Sequence, residues 1–183
     1  MTCSEDLSTK LVRSLGESLE LVDVELTSLS NPAYENLFET FFQALTFNSS
    51  ISNLKLSSGY RKIRIKLTNL LAQFLRVNRS LSVLKMRDVR IGDEGANSLA
   101  EVLKVNTSLS SLDLHSTHIL VEGAISLAQA LSVNTSLSSL NLFGNVIRIK
   151  GANSLAQSLR VNSSLSSLDL GNNFIGDEGV NSL

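Results

Sequence analysis

The clearest pattern in the chain is an alternation of apolar and polar positions that returns at a nearly fixed interval. Six stretches share the order L-x-x-L-x-L or a close variant, and they begin at Leu19, Ile51, Leu81, Leu109, Leu137 and Leu165. The first two intervals are 32 and 30 residues, and the other three are 28. The alternation that ends each stretch is typical of a short β-strand with one buried face.

A second pattern, with helical spacing, follows each strand pattern. Between residues 93 and 106, small or apolar side chains recur on one face of a predicted helix, at Ala96, Leu99, Ala100 and Leu103. Asp93 is the predicted N-cap of this helix, and Asn106 is its predicted left-handed C-terminal stop. Each unit is therefore predicted to be one strand followed by one antiparallel helix.

Neither element can bury its apolar face alone, so the units are expected to stack. Helices need about 8–10 Å of lateral room, whereas paired strands need only about 4.8 Å. The sequence therefore predicts an α/β solenoid with a 28-residue period. We expect a curved horseshoe with parallel strands on its concave face and helices on its convex face.

The two ends of the chain depart from this pattern. Residues 1–18 carry apolar side chains at helical spacing, at Leu7, Leu11, Val12 and Leu15. They predict an N-terminal helical segment, which either covers the first strand or belongs to a preceding unit. Residues 19–183 are predicted to form the repeat domain, with five complete units and a truncated sixth whose last helix frays. A chain that is only a fragment would look the same.

Glycine recurs at one place in each later unit, at Gly95, Gly123, Gly151 and Gly179. Two explanations fit this recurrence. A missing side chain lets the helix approach the sheet closely, and glycine also permits unusual backbone angles at a helix start.

The stretch LDLGNNFIGDEGVNSL, residues 168–183, joins the strand pattern to a turn asparagine and an I-G-D-E-G run. It resembles the leucine-rich repeat of the ribonuclease-inhibitor-like subfamily, and the likeness covers the chain from Leu19 onward. The units also resemble the repeats of NOD-like receptors. The resemblance implies a horseshoe whose concave face binds other proteins. The turn asparagine is present only at Asn145 and Asn173, and Val89 at this position predicts a distorted or water-filled turn.

Composition narrows the choice of partner. Apolar residues make up 43% of the chain, which excludes a disordered composition, and a net charge of −1 provides no positive field for nucleic acid. No run approaches the roughly 18 apolar residues of a membrane span. The start MTCSEDLSTK does not resemble a signal peptide, and Cys3 is the only cysteine. These features favour a cytoplasmic location and a partner that is neither nucleic acid nor membrane.

Candidates for chemistry are few. His115 and His118 could bind a metal or act as a base, but without other ligands at suitable spacing we interpret them as surface residues. Five N-x-S sequences begin at Asn48, Asn78, Asn106, Asn134 and Asn162. Their regular spacing favours a repeated turn over glycosylation. Gly-Asp-Glu-Gly at 92–95 and 176–179 matches neither a phosphate loop nor a calcium loop. We expect no catalytic residue, cofactor, metal or small-molecule substrate.

The exposed face of the strands is the remaining candidate site. The third and fifth positions of each strand point away from the leucines, and the seventh is expected to join them. A basic cluster and one aromatic residue stand out, since arginine and aromatic residues are enriched at interface hot spots. In the alternative interpretation Phe143 folds under its loop and the charges are merely solvated. The predicted partner-binding residues are Lys55, Lys85, Arg87, Asp113, His115, Asn141, Phe143 and Asp169.

These features predict a non-enzymatic module or scaffold that binds a protein partner through the concave face and flanking loops. The alternative is a regulator of an enzyme, similar to the Ran GTPase-activating proteins, although the chain lacks their acidic tail. Six strands offer a strip of about 300 Å², which is less than the ~800 Å² per partner of a stable interface. Flanking loops or further repeats are therefore expected to contribute.

Overall fold

The computed structural model describes residues 23–26, 35–46, 48–56 and 65–182, in which six strands alternate with six helices. The helical segment expected at residues 1–18 lies outside the described residues, as does Cys3. The strands are β1 (Asp23–Leu26), β2 (Asn53–Leu56), β3 (Val83–Lys85), β4 (Ser111–Asp113), β5 (Ser139–Asn141) and β6 (Ser167–Asp169). The helices are α1 (Glu35–Thr46), α2 (Ile65–Val77), α3 (Gly92–Leu103), α4 (Val121–Leu131), α5 (Arg148–Leu159) and α6 (Gly176–Ser182).

The strands form one parallel sheet in chain order from β1 to β6. The central residues of the last five strands are paired in register, and they are Leu54, Leu84, Leu112, Leu140 and Leu168. From β3 onward the paired residues are 28 positions apart, as in Leu84, Leu112 and Leu140. The fold is therefore α/β, with units of leucine-rich type. From β2 onward the sheet register is the one that the spacing predicts. The prediction for the first unit was wrong: Asp23 pairs with Asn53, an interval of 30 residues rather than 32, so this unit is aligned two residues later than a start at Leu19 implies.

The hydrophobic core lies between the leucines of the strands and the inner faces of the helices. Its filling changes along the stack. Phe41, Phe42 and Phe74 are buried together at the N-terminal side, with ring centroids 5.4 Å and 6.0 Å apart. The place of Phe74 in its helix is taken by smaller buried residues in the next three helices, namely Val102, Ala130 and Ser158. Units with the same strand pattern are thus packed with side chains of very different volume.

The recurring glycines allow close approach to the isoleucine four residues earlier and to the neighbouring helix, rather than to the sheet. A Cβ on Gly151 would lie 2.9 Å from the Cβ of Ala124 on α4, and 2.5 Å from Cγ2 of Ile147. Gly123 has the same relation to Ala96, again at 2.9 Å. Neither glycine has a positive φ angle; that conformation occurs at Gly92, where α3 begins, with φ of 64°. Close packing therefore explains the recurrence.

Both predicted capping roles in α3 were wrong. The helix begins at Gly92, so Asp93 lies in its first turn, and the preceding Ile91 makes no side-chain cap. The Asp93 carboxylate instead accepts a hydrogen bond from the Leu120 amide, 2.7 Å away, and so joins α3 to the start of α4. Asn106 does not have the positive φ angle of a left-handed stop. It is buried, and its side chain holds the next turn.

The helix-to-strand turns each contain one such asparagine: Asn48, Asn78, Asn106, Asn134 and Asn162. In every case Oδ1 accepts the amides two and three residues later, as with Ser108 at 3.0 Å and Leu109 at 2.8 Å. From Asn78 onward, Nδ2 donates to the last turn of the helix one unit earlier, as from Asn106 to the Leu75 carbonyl of α2 at 2.7 Å. These bonds explain the repeated N-x-S sequence by a structural requirement of the turn.

The strand-to-helix turns are less uniform. Asn145 donates through Nδ2 to the carbonyls of Leu114 and Leu142, and its Oδ1 accepts the amides of Thr117 and Ile119 in the preceding unit. The turn at Val89 differs from the others in its hydrogen bonds. The Val89 side chain is fully buried in the core. The amide two residues later, that of Ile91, bonds to backbone carbonyls of Val89 and Thr117 instead of to an asparagine.

Candidate functional site

Two rows of side chains cross the face of the sheet that points away from the leucines. The first row takes the position after the central leucine in the last five strands and consists of Lys55, Lys85, Asp113, Asn141 and Asp169. The second row stands two residues further along the chain. Among the described residues it consists of Arg87, His115, Phe143 and Gly171. We call these the first row and the second row.

The second row stays aligned because backbone pairing continues beyond the strands. The amides of Asp88, Ser116 and Gly144 donate to the carbonyls of His115, Phe143 and Gly171, over 2.9–3.0 Å. Side chains of the first row add a second restraint. Asp113, Asn141 and Asp169 each accept the amide of the second-row residue two positions later, over 2.9–3.1 Å. Carboxylate or amide oxygens at these positions therefore orient the second row.

Asp113 has a positioning role rather than an exposed one. Only 6% of this residue is accessible. One carboxylate oxygen accepts the His115 amide, and the other accepts Nε of Arg87, 2.5 Å away. More than half of the Arg87 side chain, 56%, nevertheless remains exposed. The buried carboxylate therefore holds the arginine in place while the rest of the guanidinium stays available to a partner.

Phe143 lies between two neighbours of the second row. Its ring is stacked on the ring of His115, with centroids 4.9 Å apart and an interplanar angle of 14°. On its other side is Gly171, where an added Cβ would lie 2.7 Å from Cδ2 of the phenylalanine. The ring is partly exposed and does not belong to the buried core. This placement argues against the alternative in which Phe143 folds under its loop.

The charges of the two rows change sign along the sheet. Lys55 and Lys85 are exposed in neighbouring strands, and Arg87 lies beside them. At the other end of the first row Asp169 is exposed, while Asn141 is neutral and partly buried. The structure thus brings all eight predicted residues into two adjacent rows, but it withdraws Asp113 from the surface. Sequence patterns alone did not indicate that burial, because it depends on an arginine from another unit.

The two histidines do not form a site together. His115 stacks on Phe143, whereas His118 lies on a strand-to-helix turn and accepts a hydrogen bond at Nε2 from Nε of Arg90, over 2.8 Å. Partial burial, and secondarily the charge of Arg90, lower the pKa of His118 from its ordinary value. Within the described part of the chain, no group of three or more His, Cys, Asp or Glu side chains is arranged to hold a metal ion.

The repeat units match a known family. The family model described as Leucine Rich repeat matches residues 77–100, 105–128, 133–156 and 161–183, which together make up just over half of the chain. The chain therefore belongs to the leucine-rich-repeat proteins. No curated protein sequence matches it significantly.

Two solved structures share the fold at low sequence identity. One is a structure titled Leiomodin-1 Actin-Binding Site 2, with 20% identity and a TM-score of 0.53, over 87% of this chain and 76% of that one. The other is the tropomodulin C-terminal domain of Caenorhabditis elegans, with 14% identity and a TM-score of 0.61, over 96% of this chain and 87% of that one. At these identities the likeness supports the fold.

No helix in the described ranges is long and apolar enough to cross a membrane.

Proposed function

We propose that this protein is a protein-interaction module of the leucine-rich-repeat class, and that its partner contacts the first and second rows together with the flanking loops. Residues 19–183 would form one such domain, a curved solenoid with a 28-residue period. The curvature is inferred from the difference in width between helices and strands. In this arrangement both rows lie on the concave face.

The observation that carries the proposal is the order already present in the second row. Arg87 is held by a buried carboxylate, and Phe143 is held between His115 and Gly171. Side chains that are fixed before binding lose little conformational entropy when a partner arrives. Arginine and aromatic residues fixed in this way have the character of interface hot spots. We therefore assign this surface to the binding of a partner.

The charge pattern of the two rows indicates which charges the partner should carry. The end of the site formed by Lys55, Lys85 and Arg87 favours an acidic segment, and the end at Asp169 favours a basic one. Opposed charges of this kind fix the orientation of a partner and raise its association rate more than they raise affinity. The leiomodin structure carries an actin-binding site in its title, which makes actin the first partner to test.

The test measures how variants of the full chain bind purified actin. A second assay cross-links each variant to its partners in cells and purifies the resulting complex. We expect Phe143→Ala, and separately the double variant Lys85→Glu/Arg87→Glu, to weaken partner binding about tenfold or more. The matched control Arg148→Glu/Lys150→Glu makes the same change of charge on α5 and should leave binding unchanged. GTP hydrolysis by a panel of small GTPases should not respond to the protein.

Two results would contradict the proposal. One is a partner that binds all three variants as it binds the unaltered protein. The other is a loss of several kcal/mol of stability in Phe143→Ala, because a partly exposed stacked ring should contribute only about 1 kcal/mol. Stimulated GTP hydrolysis would instead favour the enzyme-regulating alternative.

A further inference from the structure

A row of exposed valines runs along the helix-to-strand turns, at the side where the helices end. Its members each precede a turn asparagine by one residue, and they are Val77, Val105, Val133 and Val161. We call them the valine row. Between 50% and 67% of each residue is exposed. A single exposed valine needs no explanation, but four at the same place in adjacent units place a stripe of apolar side chains along one edge of the stack.

The asparagines fix the valines in this line. Nδ2 of Asn106, Asn134 and Asn162 donates to the helix carbonyl of the preceding unit, over 2.7 Å in each case. Each turn is thereby bonded directly to the turn before it, so the valine beside each asparagine is held next to its counterpart. The stripe is consequently a rigid feature of the stack rather than a set of independent side chains.

Basic side chains accompany the valine row. They are all exposed, and they are Arg76, Arg79, Lys104 and Arg160. Lys104 bonds to Glu101 at 2.6 Å, but the three arginines make no ion pair with any described residue. This edge is therefore positive in a protein whose net charge is −1. The dipole of each helix accounts for a cation at its end, but it does not account for the apolar residue beside that cation.

The shape and charge of this edge indicate what kind of partner could bind there. The stripe is one residue wide and four units long, which suits a rod better than a plane such as a membrane. Adjacent units are separated by about 4.8 Å at the strands and by about 8–10 Å at the helices. Successive turns of an α-helix rise by about 5.4 Å, so its apolar face can meet successive valines. Acidic residues flanking that face would meet the arginines.

We propose that the valine row and its four basic neighbours bind an acidic amphipathic helix of a protein partner. The helix lies along the direction of stacking, across the helix-to-strand turns. This surface is separate from the first and second rows, and it does not depend on the function proposed for them.

The probe is a synthetic acidic helix of about 18 residues, with leucine along one face and glutamate on both flanks. A peptide of the same composition in scrambled order is its control. Fluorescence anisotropy with the full chain should show that Val105→Ser/Val133→Ser weakens binding of the probe about tenfold. Arg76→Glu/Arg160→Glu should do the same. Val180→Ser, at an equally exposed valine on α6, should leave binding unchanged.

Three outcomes would overturn the proposal. The scrambled peptide could bind as well as the probe, or the valine variant could bind as well as the unaltered protein. Vesicles rich in phosphatidylserine could also bind the protein through the valine row where the probe does not, which would assign this edge to a lipid surface. Val105→Thr/Val133→Thr should give the same loss of binding, and it retains the branched shape if the serine variant unfolds. Phe143→Ala should not affect binding of the probe.

Discussion

The two sets of turns satisfy the hydrogen bonds of their backbone amides in different ways. In the helix-to-strand turns each asparagine serves its own turn through Oδ1, as Asn106 does for Ser108 and Leu109. In the strand-to-helix turns Asn145 instead serves the turn of the preceding unit, at Thr117 and Ile119. Turns of the first kind therefore keep their amides satisfied from within their own unit. Turns of the second kind depend on the unit that follows.

This difference explains why one set is uniform and the other is not. An asparagine that serves its own turn is required in every unit, and all five described turns contain one. An asparagine that serves its neighbour can be absent where the neighbouring turn closes by backbone bonds. That is the case for the turn at Val89, where Thr117 of the next unit contributes its backbone carbonyl to Ile91. The sharpest tests of the comparison remove or add one of these side chains.

Asn145→Ala should have the largest effect. It removes the acceptor of two amides and the donor to two carbonyls in the interior, at a cost on the order of 3–5 kcal/mol of unfolding free energy. Urea denaturation measures the loss. Hydrogen exchange should accelerate at Thr117 and Ile119 in the preceding unit. Acceleration confined to the unit of Asn145 itself would contradict the proposed direction of dependence.

Asn106→Ala should cost somewhat less, about 2–4 kcal/mol, because its side chain donates to one carbonyl rather than two. Exchange should now accelerate within the same turn, at Ser108 and Leu109. Asn106→Asp is the comparison: it keeps the acceptor, but it replaces the donor by a carboxylate oxygen that faces the Leu75 carbonyl, so it should recover only a part of the loss. Equal losses in both variants would show that the acceptor contributes little.

Thr117→Asn should be stabilising by about 0.5–1 kcal/mol. The new side chain could accept the amides of the turn at Val89, as Asn145 does for the turn at Thr117. Thr117→Val is the matched control: it keeps the shape and removes the hydroxyl that donates to the Leu114 carbonyl at 2.8 Å, so it should lose about 1 kcal/mol. Thermal or urea unfolding distinguishes the two. A destabilised Thr117→Asn would mean that this turn cannot adopt the conformation of its neighbours.

The smallest effect concerns His118, which lies on a strand-to-helix turn. Burial and the charge of Arg90 lower its pKa in the folded protein. The unfolded chain therefore binds this proton more readily, so the contribution of His118 to stability is present above about pH 6.5 and is lost as the pH falls below it. An NMR titration should show the low pKa, and Arg90→Ala should raise it only in part, because burial is the larger cause. A complete return to the ordinary value would contradict that order.

Much of the fold could be predicted because one spacing encodes several requirements at once. The leucine alternation gives the strands, and the 28-residue interval gives the register that pairs Leu84, Leu112 and Leu140. The recurring asparagine was recognised as a turn residue, but its predicted left-handed conformation was wrong. The pattern records which residue is needed at a position and not which atoms it contacts.

The location of the candidate residues on the sheet could be predicted, but their contacts could not. The two rows follow from strand periodicity, so all eight predicted residues lie in them. The burial of Asp113 did not follow, because Arg87 is 26 residues away in the chain and becomes its neighbour only when units stack. The valine row was also missed, since exposure at the end of a helix leaves no periodic signal within one unit.

The sequence by itself determined the class of fold, the order of the units, their register from β2 onward, and which side chains face away from the core. Those properties depend on repeated local spacing, which can be read directly from one sequence. Tertiary structure decided what each polar residue does: which unit an asparagine serves, which acid is buried, and which ring stacks on which neighbour. These roles depend on contacts between units, and such contacts exist only once stacking has brought residues from different repeats within hydrogen-bond distance.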